Sequence, residues 1–287
     1  MPTLPTDHGG ADTVGSFAAE RAEAAWFFDW ISGAPEPARI VLETDAVQLA
    51  AGGIATSMAS DPVDYWSKAL GFDRPMDRET IVEIVDFYRS RGTLTATIQI
   101  APALLPADWD VICGEFGLTT TSSWIKLSGS SDVPVQPLHG LRVDAVGGED
   151  LEEWGATVFR GFGMPPVHLA QLAVASARRG VVQPFGVWSG NSLVAGAALA
   201  VNEGIGALLG AATLPEYRGR GAQQALIAIR AQAAQRAGID TLTAETWLPG
   251  PGGANPSLNN LLRAGLTPLY DRANWSWKNS DPSTIRG

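Results

Sequence analysis

Three apolar stretches in the second half of the chain, PFGVWSG, LVAGAALAVN and ALLGAAT, are separated only by the tight turns SGNS and NEG. Apolar runs joined by such turns read as a three-stranded antiparallel meander. The next segment fixes the class. EYRGRGAQQALIAIRAQAAQRAG opens on two glycines in a polar turn and continues as a long alanine-rich helix, and TLTAETW after it reads as another strand. Meander, helix and strand in that order make a mixed, mostly antiparallel sheet flanked by helices, an α+β fold.

The same coarse order recurs at smaller scale in the first half. After ten residues rich in Pro, Gly and Asp, read as a frayed terminus, Phe17, Ala18, Ala22, Ala25, Trp26 and Trp30 recur at helical spacing and predict one helix over Val14 to Ile31. ARIVLETDAVQLAAGGIATSMAS reads as short strands turning at Gly52-Gly53. Helices are expected at Val63 to Ala69 and at Arg78 to Arg91, the second opening on DRE and closing at Gly92. TLTATIQIAP is then a strand, LPADWDVICGEFG a helix ending at Gly117, and LTTTSSWIKLSG a strand. The polar, proline-bearing stretch Ser128 to Pro137 marks the expected division into units 1–135 and 136–287.

The second unit begins with the strand LRVDAV and the helices GGEDLEEWGATVFRGFG and PPVHLAQLAVASARR. Beyond TLTAETW lie the loop LPGPGGANP, the short helix SLNNLLRAG, and two terminal strands, LTPLYDR and NWSWKN. The shared order suggests an internal structural duplication, without a residue-level repeat.

Composition removes several classes of function. The longest apolar run, Leu193 to Val201, is far short of the roughly 18–20 residues that span a bilayer. MPTLPTDHGGADTVGS has neither the basic nor the apolar region of a signal peptide, so a cytoplasmic protein without membrane partners is expected. The single cysteine, Cys113, allows no internal disulfide and reads as a small buried hydrophobe, and His8, His139 and His168 are scattered without ligand spacing, so no metal is expected. Residues 1–139 carry 8 Lys and Arg against 19 Asp and Glu, and no basic face for nucleic acid is suggested. That acidic half suits either a cationic partner such as an amine or simple solubility.

The glycine turn can be tested against the known phosphate cradles. A Walker-type loop needs Lys and then Ser or Thr after its second glycine, where this chain has Ala222 and Gln223. A dinucleotide fingerprint needs a third glycine at position 224, which is Gln224, and should open a parallel unit rather than come after a meander. Two readings stay open on the residues: a plain turn into a surface helix, or an anion cradle built from the helix start.

Taken with its surroundings, the stretch resembles the acyl-CoA-binding motif of the GNAT superfamily, the Gcn5-related N-acetyltransferases, whose pattern is Arg or Gln, two residues, Gly, one residue, then Gly or Ala. Arg218 and Gly221 match it, while Gln223 stands where the family usually has a small residue. NPSLNNLLRAGL is similar to the family's later segment, with Leu266 in place of the usual Phe after Gly265. The likeness covers about residues 138–280. The first half looks like the degenerate first domain of tandem GNAT proteins and has no glycine-rich helix start of its own, so one cofactor site per chain is expected.

The resemblance implies an N-acetyltransferase in which a deprotonated primary amine attacks the thioester of acetyl-CoA directly. It places the cofactor's diphosphate at Arg218, Gly219, Arg220, Gly221, Ala222 and Gln223, its pantetheine amides on the backbone of Ala211, Ala212 and Thr213, and further contacts at Asn255 and Asn260, which serve equally well as helix cap and loop residues. Glu245 and Glu203 are candidate bases, or solvent-facing carboxylates. Tyr270 is a candidate acid to the thiolate because the family's usual tyrosine position is Leu261, and a packed strand tyrosine is its other reading. A small-molecule amine is the expected acceptor of a monomer or homodimer. A peptide acceptor, or a non-catalytic module that binds acyl-CoA as a sensor or docking unit, is the alternative.

Overall fold

The computed structural model describes residues 13–135 and 138–280; the expected frayed terminus lies outside them, as do residues 136 and 137 at the expected division. The first half runs α1 (Thr13–Ser32), α2 (Glu36–Leu42), β1 (Thr44–Gln48), β2 (Ile54–Met58), β3 (Lys68–Leu70), α3 (Arg78–Ser90), β4 (Thr95–Gln99), α4 (Trp109–Phe116) and β5 (Thr119–Ser130). The second runs β6 (Arg142–Ala145), α5 (Leu151–Phe162), α6 (Pro166–Arg178), β7 (Val182–Ser189), β8 (Ser192–Asn202), β9 (Ile205–Thr213), α7 (Ala222–Arg236), β10 (Thr241–Trp247), α8 (Pro256–Arg263) and β11 (Thr267–Lys278).

Among the described residues eleven strands form one sheet in the order β1-β2-β3-β4-β11-β5-β10-β9-β8-β7-β6. The meander β7-β8-β9 is antiparallel as its turns dictate. Each half has one parallel pair, β3 with β4 and β9 with β10. The last strands of the two halves are exchanged: β11 lies between β4 and β5, and β5 between β11 and β10, all antiparallel. The two halves therefore share one hydrogen-bonded ladder.

Three segments differ from expectation. ARIVL belongs to the helix α2, because Pro35, Glu36 and Pro37 form a helix start in which a missing N–H costs nothing. Its β-branched Ile40 and Val41, which suggest a strand, face solvent, while Ala38 and Leu42 are buried. Val63 to Ala69 is not helical. The Asp61 carboxylate accepts the backbone N–H groups of Val63, Tyr65 and Trp66 at 2.9, 2.6 and 2.5 Å, a local alternative to helical bonding, and the chain then enters β3. The two terminal strands are one, β11, twelve residues long with bulges at Pro268/Tyr270 and Asn274/Trp275. It runs through the middle of the sheet, so Tyr270 to Trp275 are buried.

One apolar core joins α1 and α2 to α5, α6 and strands β7 to β9. On the opposite face, α3 and α4 cover the first half's strands and α7 covers the second half's. Cys113 lies in the α4 core, where burial pushes its thiol up to about 11.

Candidate active site

The parallel pair β9–β10 is joined only at Ile205–Thr241, Gly206–Leu242 and Ala207–Thr243. Beyond that the strands diverge, and β9 stays with β8 through a bulge: Ala198 faces Leu209 and Gly196 faces Ala212, so Gly210 and Ala211 oppose a single residue. Gly210 adopts φ 53° there. The bulge is pinned from α7 by Arg230, which is 1% exposed and donates to the carbonyls of Ala198 at 3.0 Å and Leu209 at 3.1 Å. With no carboxylate beside it, burial lowers the Arg230 guanidinium to about 9. Ala211, Ala212 and Thr213 thus form one arm of a V whose other arm is Ala244 to Trp247.

β9 leads straight into the glycine turn. Gly219 and Gly221 have φ of 75° and 83°, and α7 starts from Gly221 with no side-chain cap on its first turn. A Cβ on Gly219 would meet nothing within 4 Å and one on Gly221 only Leu138, so these glycines serve the left-handed backbone rather than close packing. The first N–H groups of a helix and the positive end of its dipole suit a diphosphate. Arg220 is exposed beside them, its guanidinium carbon 5.1 Å from the Tyr217 ring centroid. Arg218, also exposed, folds back on the backbone instead, donating to the carbonyls of Thr213 at 3.1 Å and Gly161 at 2.9 Å, which fixes the turn to the end of β9 and to α5.

Gln223 points sideways. It donates to Ser257 Oγ at 2.8 Å and accepts from Asn260 at 2.7 Å, which ties α7 to α8. Asn255 is the buried cap of α8: its oxygen accepts the N–H groups of Ser257 and Leu258, and its amide donates to Thr246 Oγ1 and the Trp247 carbonyl. Asn255, Asn260 and Gln223 therefore hold α8 beside the β10 arm.

Glu245 sits on the β10 arm in a buried ionic cluster that draws on both halves. In the sheet it faces Lys126 of β5, which in turn faces Tyr270 of β11. Arg272 donates to Glu20 at 2.6 Å, to both oxygens of Glu23 at 3.1 and 3.0 Å, and to Glu245. The Lys126 ammonium pairs with Glu23 and lies 3.4 Å from Glu245. Glu245 is the member that reaches solvent, with its side chain 18% exposed against 8% or less for Glu20, Glu23, Lys126 and Arg272. Burial, and then the neighbouring Glu23 charge, hold the Glu245 carboxyl above its usual 4.5. For Glu23 burial acts upward too, but Arg272 and Lys126 outweigh it and hold that group well below the carboxylate range.

Tyr270 stands in the same cluster, its hydroxyl donating to Glu20 at 2.6 Å, and burial together with the Glu20 charge pushes it well above 10. Two strands separate β11 from β9, so the structure does not bring Tyr270 to the β9 arm. Glu203 is set apart as well. It lies in the β8–β9 turn, at the opposite end of β9 from the bulge, and is paired with Arg21 at 2.9 Å.

Beside the β9 arm, a cavity of about 90 Å³ opens under the bulge, lined among others by Trp30 and Trp66 from the first half and by Trp154, Phe159, Leu209 and Gly210 from the second. The helix α1 connects it to the ionic cluster. Glu20, Glu23, Phe27 and Trp30 succeed one another at spacings of three, four and three, a single helical stripe. Its first two members join Arg272 and its last two the aromatic core.

Sequence reasoning missed Arg230, Arg272, Lys126 and the two α1 glutamates. A lysine or arginine in an alternating strand reads as solvent-facing, and only the strand exchange turns Lys126 and Arg272 inward. The stripe at 20, 23, 27 and 30 is a signal for the two glutamates alone; Arg230, Lys126 and Arg272 leave none. Among the described residues no group of His, Cys, Asp and Glu could hold a metal ion, and no helix is long and apolar enough to cross a membrane.

No protein-family model matches the chain. No curated protein matches it in sequence either. Among solved structures, it is similar to a GCN5-related N-acetyltransferase from Kribbella flavida at 16% identity and TM-score 0.62, over 94% of this chain and 98% of that one. It is also similar to a GCN5-related N-acetyltransferase from Sphaerobacter thermophilus at 14% identity and TM-score 0.58, over 97% and 96%. A tandem GNAT protein from the clavulanic acid biosynthesis pathway matches at 13% identity and TM-score 0.57, over 97% and 99%. Identities this low speak to architecture, and over nearly its whole length this chain has the tandem GNAT fold.

Proposed function

We propose that the chain is an N-acyltransferase that moves the acetyl group of acetyl-CoA to the primary amine of a small molecule in the β9–β10 cleft. The observation that carries this reading is one of position. The bulged arm, from which β10 has parted, runs directly into an uncapped helix start preceded by two left-handed glycines. The backbone amides of α7's first turn would take the diphosphate with Arg220, and the unpaired backbone around Ala211 would take the amides of the pantetheine arm. Thr213's carbonyl already accepts from Arg218, so that residue serves the turn as well as the arm.

In the reaction a nitrogen–carbon bond forms, the carbon–sulfur bond breaks, the ammonium loses a proton and the departing thiolate gains one. Holding the two reactants in one cleft is the protein's first contribution. Glu245 is the group placed to accept the proton, directly or through water, because it is the least buried member of the ionic cluster and lies on the arm facing the bulge. Arg272 and Lys126 keep it in place, and burial keeps its affinity for the proton above that of an ordinary carboxylate. Tyr270, bound to Glu20, has no part in this account.

One observation favours a second reading, a non-catalytic acyl-CoA-binding module: the Glu245 carboxylate is already held by two cations. Thiol release from acetyl-CoA across a panel of primary amines separates the two. Turnover with any amine supports transfer, whereas tight binding without turnover supports the sensor. No thermal shift with acetyl-CoA would sink both.

A further inference from the structure

The acceptor is readable from the cavity beside the bulge. Its wall is made of tryptophan, phenylalanine and aliphatic groups, with no charged side chain among the residues that line it. It lies under Leu209 and Gly210, on the arm where the reacting carbon would sit, and it is shared between the halves, since Trp26, Trp30 and Trp66 close it against α5 and α6. A polyamine is excluded on charge, because its second ammonium would find no carboxylate there.

The stripe on α1 adds direction. Glu23 and Trp30 are seven residues apart on one face, a separation of about 10 Å along the helix axis. One end of the stripe is the ionic cluster with Glu245 at its edge, and the other is the aromatic wall. An amine with an apolar tail matches that polarity, its nitrogen toward Glu245 and its hydrocarbon in the cavity. Size bounds the tail. An apolar cavity of about 150 Å³ takes benzene, so about 90 Å³ accepts a chain of a few carbons, and a larger group would overlap the half-exposed Phe162 at the rim.

We propose that this cavity receives the hydrocarbon body of the acceptor, making the preferred substrate a short-chain alkyl primary amine. The proposal rests on the acetyltransferase reading above and deepens it. With acetyl-CoA fixed as donor, kcat/KM is expected to rise about fourfold for each methylene from ethylamine to butylamine, and to stay low for ethanolamine and putrescine. Ala173→Leu, which fills the cavity from α6 and leaves α7 untouched, should flatten that series while the thermal shift with acetyl-CoA is kept.

A second readout needs no turnover, because four tryptophans line the cavity. Butylamine should change the intrinsic fluorescence of the wild-type protein at concentrations where ethanolamine does not. That change without transfer to any amine would sustain the cavity assignment and defeat the acetyltransferase reading. A flat amine series, a preference for putrescine, or no fluorescence response to butylamine would overturn the proposal. So would a preference that tracks the length of the donor's acyl chain, tested with propionyl- and butyryl-CoA, since the cavity would then belong to the donor.

Discussion

The two halves present the same pair of features, a parallel strand pair and a helix that starts near it, and finish them differently. In the second half β9 and β10 part after three residue pairs, and α7 begins at Gly221 without a side-chain cap. In the first half the segments after β3 and β4 are joined again by a bond from the Met76 N–H to the Leu104 carbonyl at 2.9 Å, and Phe72, Met76 and Leu104 fill the gap. There α3 starts at Asp77, whose carboxylate takes the Thr80 N–H at 2.8 Å and its hydroxyl at 2.6 Å. A carboxylate on the first turn repels a diphosphate where bare glycine backbone welcomes one. On the proposed reading, a handful of side chains separates a half that holds the cofactor from one that serves as scaffold.

The largest expected effect comes from removing the bare backbone. Gly221→Trp forces a side chain onto a left-handed position at the mouth of the cradle, and calorimetry should find acetyl-CoA binding abolished while the circular dichroism spectrum is unchanged. Next is the cluster that couples the halves. Arg272→Met leaves Glu20, Glu23 and Glu245 buried with too few cations, a loss of about 3–5 kcal/mol. Urea unfolding of wild type should show a single transition, because one ladder runs through both halves, and the variant should unfold at lower urea, still in one step. Two separate transitions in the wild type would break this picture.

Glu245→Gln should lower kcat roughly 100-fold with little change in acetyl-CoA affinity. A base must be ionised to act, so the wild-type rate should fall as pH drops through the raised value of Glu245. The acid limb should lie above 4.5 and vanish in the glutamine variant. An unchanged limb would assign the base elsewhere.

Legibility from the sequence divides along the same line. The glycine turn can be read because left-handed backbone leaves its mark in residue type, and the meander because short polar turns interrupt its apolar runs. The ionic cluster cannot, since residues 20, 23, 126, 245 and 272 meet only through the exchange of β5 and β11. Glu203 and Tyr270 stand out for their sequence neighbourhood, and both prove to be tied up by charges from α1. Lys68 gives no signal on its short strand. It is buried with its ammonium 3.6 Å from the Tyr65 ring centroid, and burial brings it down to about 8.

Smaller effects sharpen the contrast. Gln223→Ala removes two hydrogen bonds between α7 and α8 and should cost about 1 kcal/mol of stability, with a modest rise in the Kd for acetyl-CoA. If Gln223 instead obstructs the diphosphate, the alanine variant will bind more tightly. Asp77→Ala should also cost about 1 kcal/mol, as the loss of a helix cap, and leave acetyl-CoA binding untouched, because the filled gap beside α3 remains.

The most direct measurement is the stoichiometry of acetyl-CoA binding to the wild-type chain by titration calorimetry. One site per chain, unaltered by Asp77→Ala and lost in Gly221→Trp, is the predicted result. Two sites per chain, or binding that survives Gly221→Trp, would contradict the account.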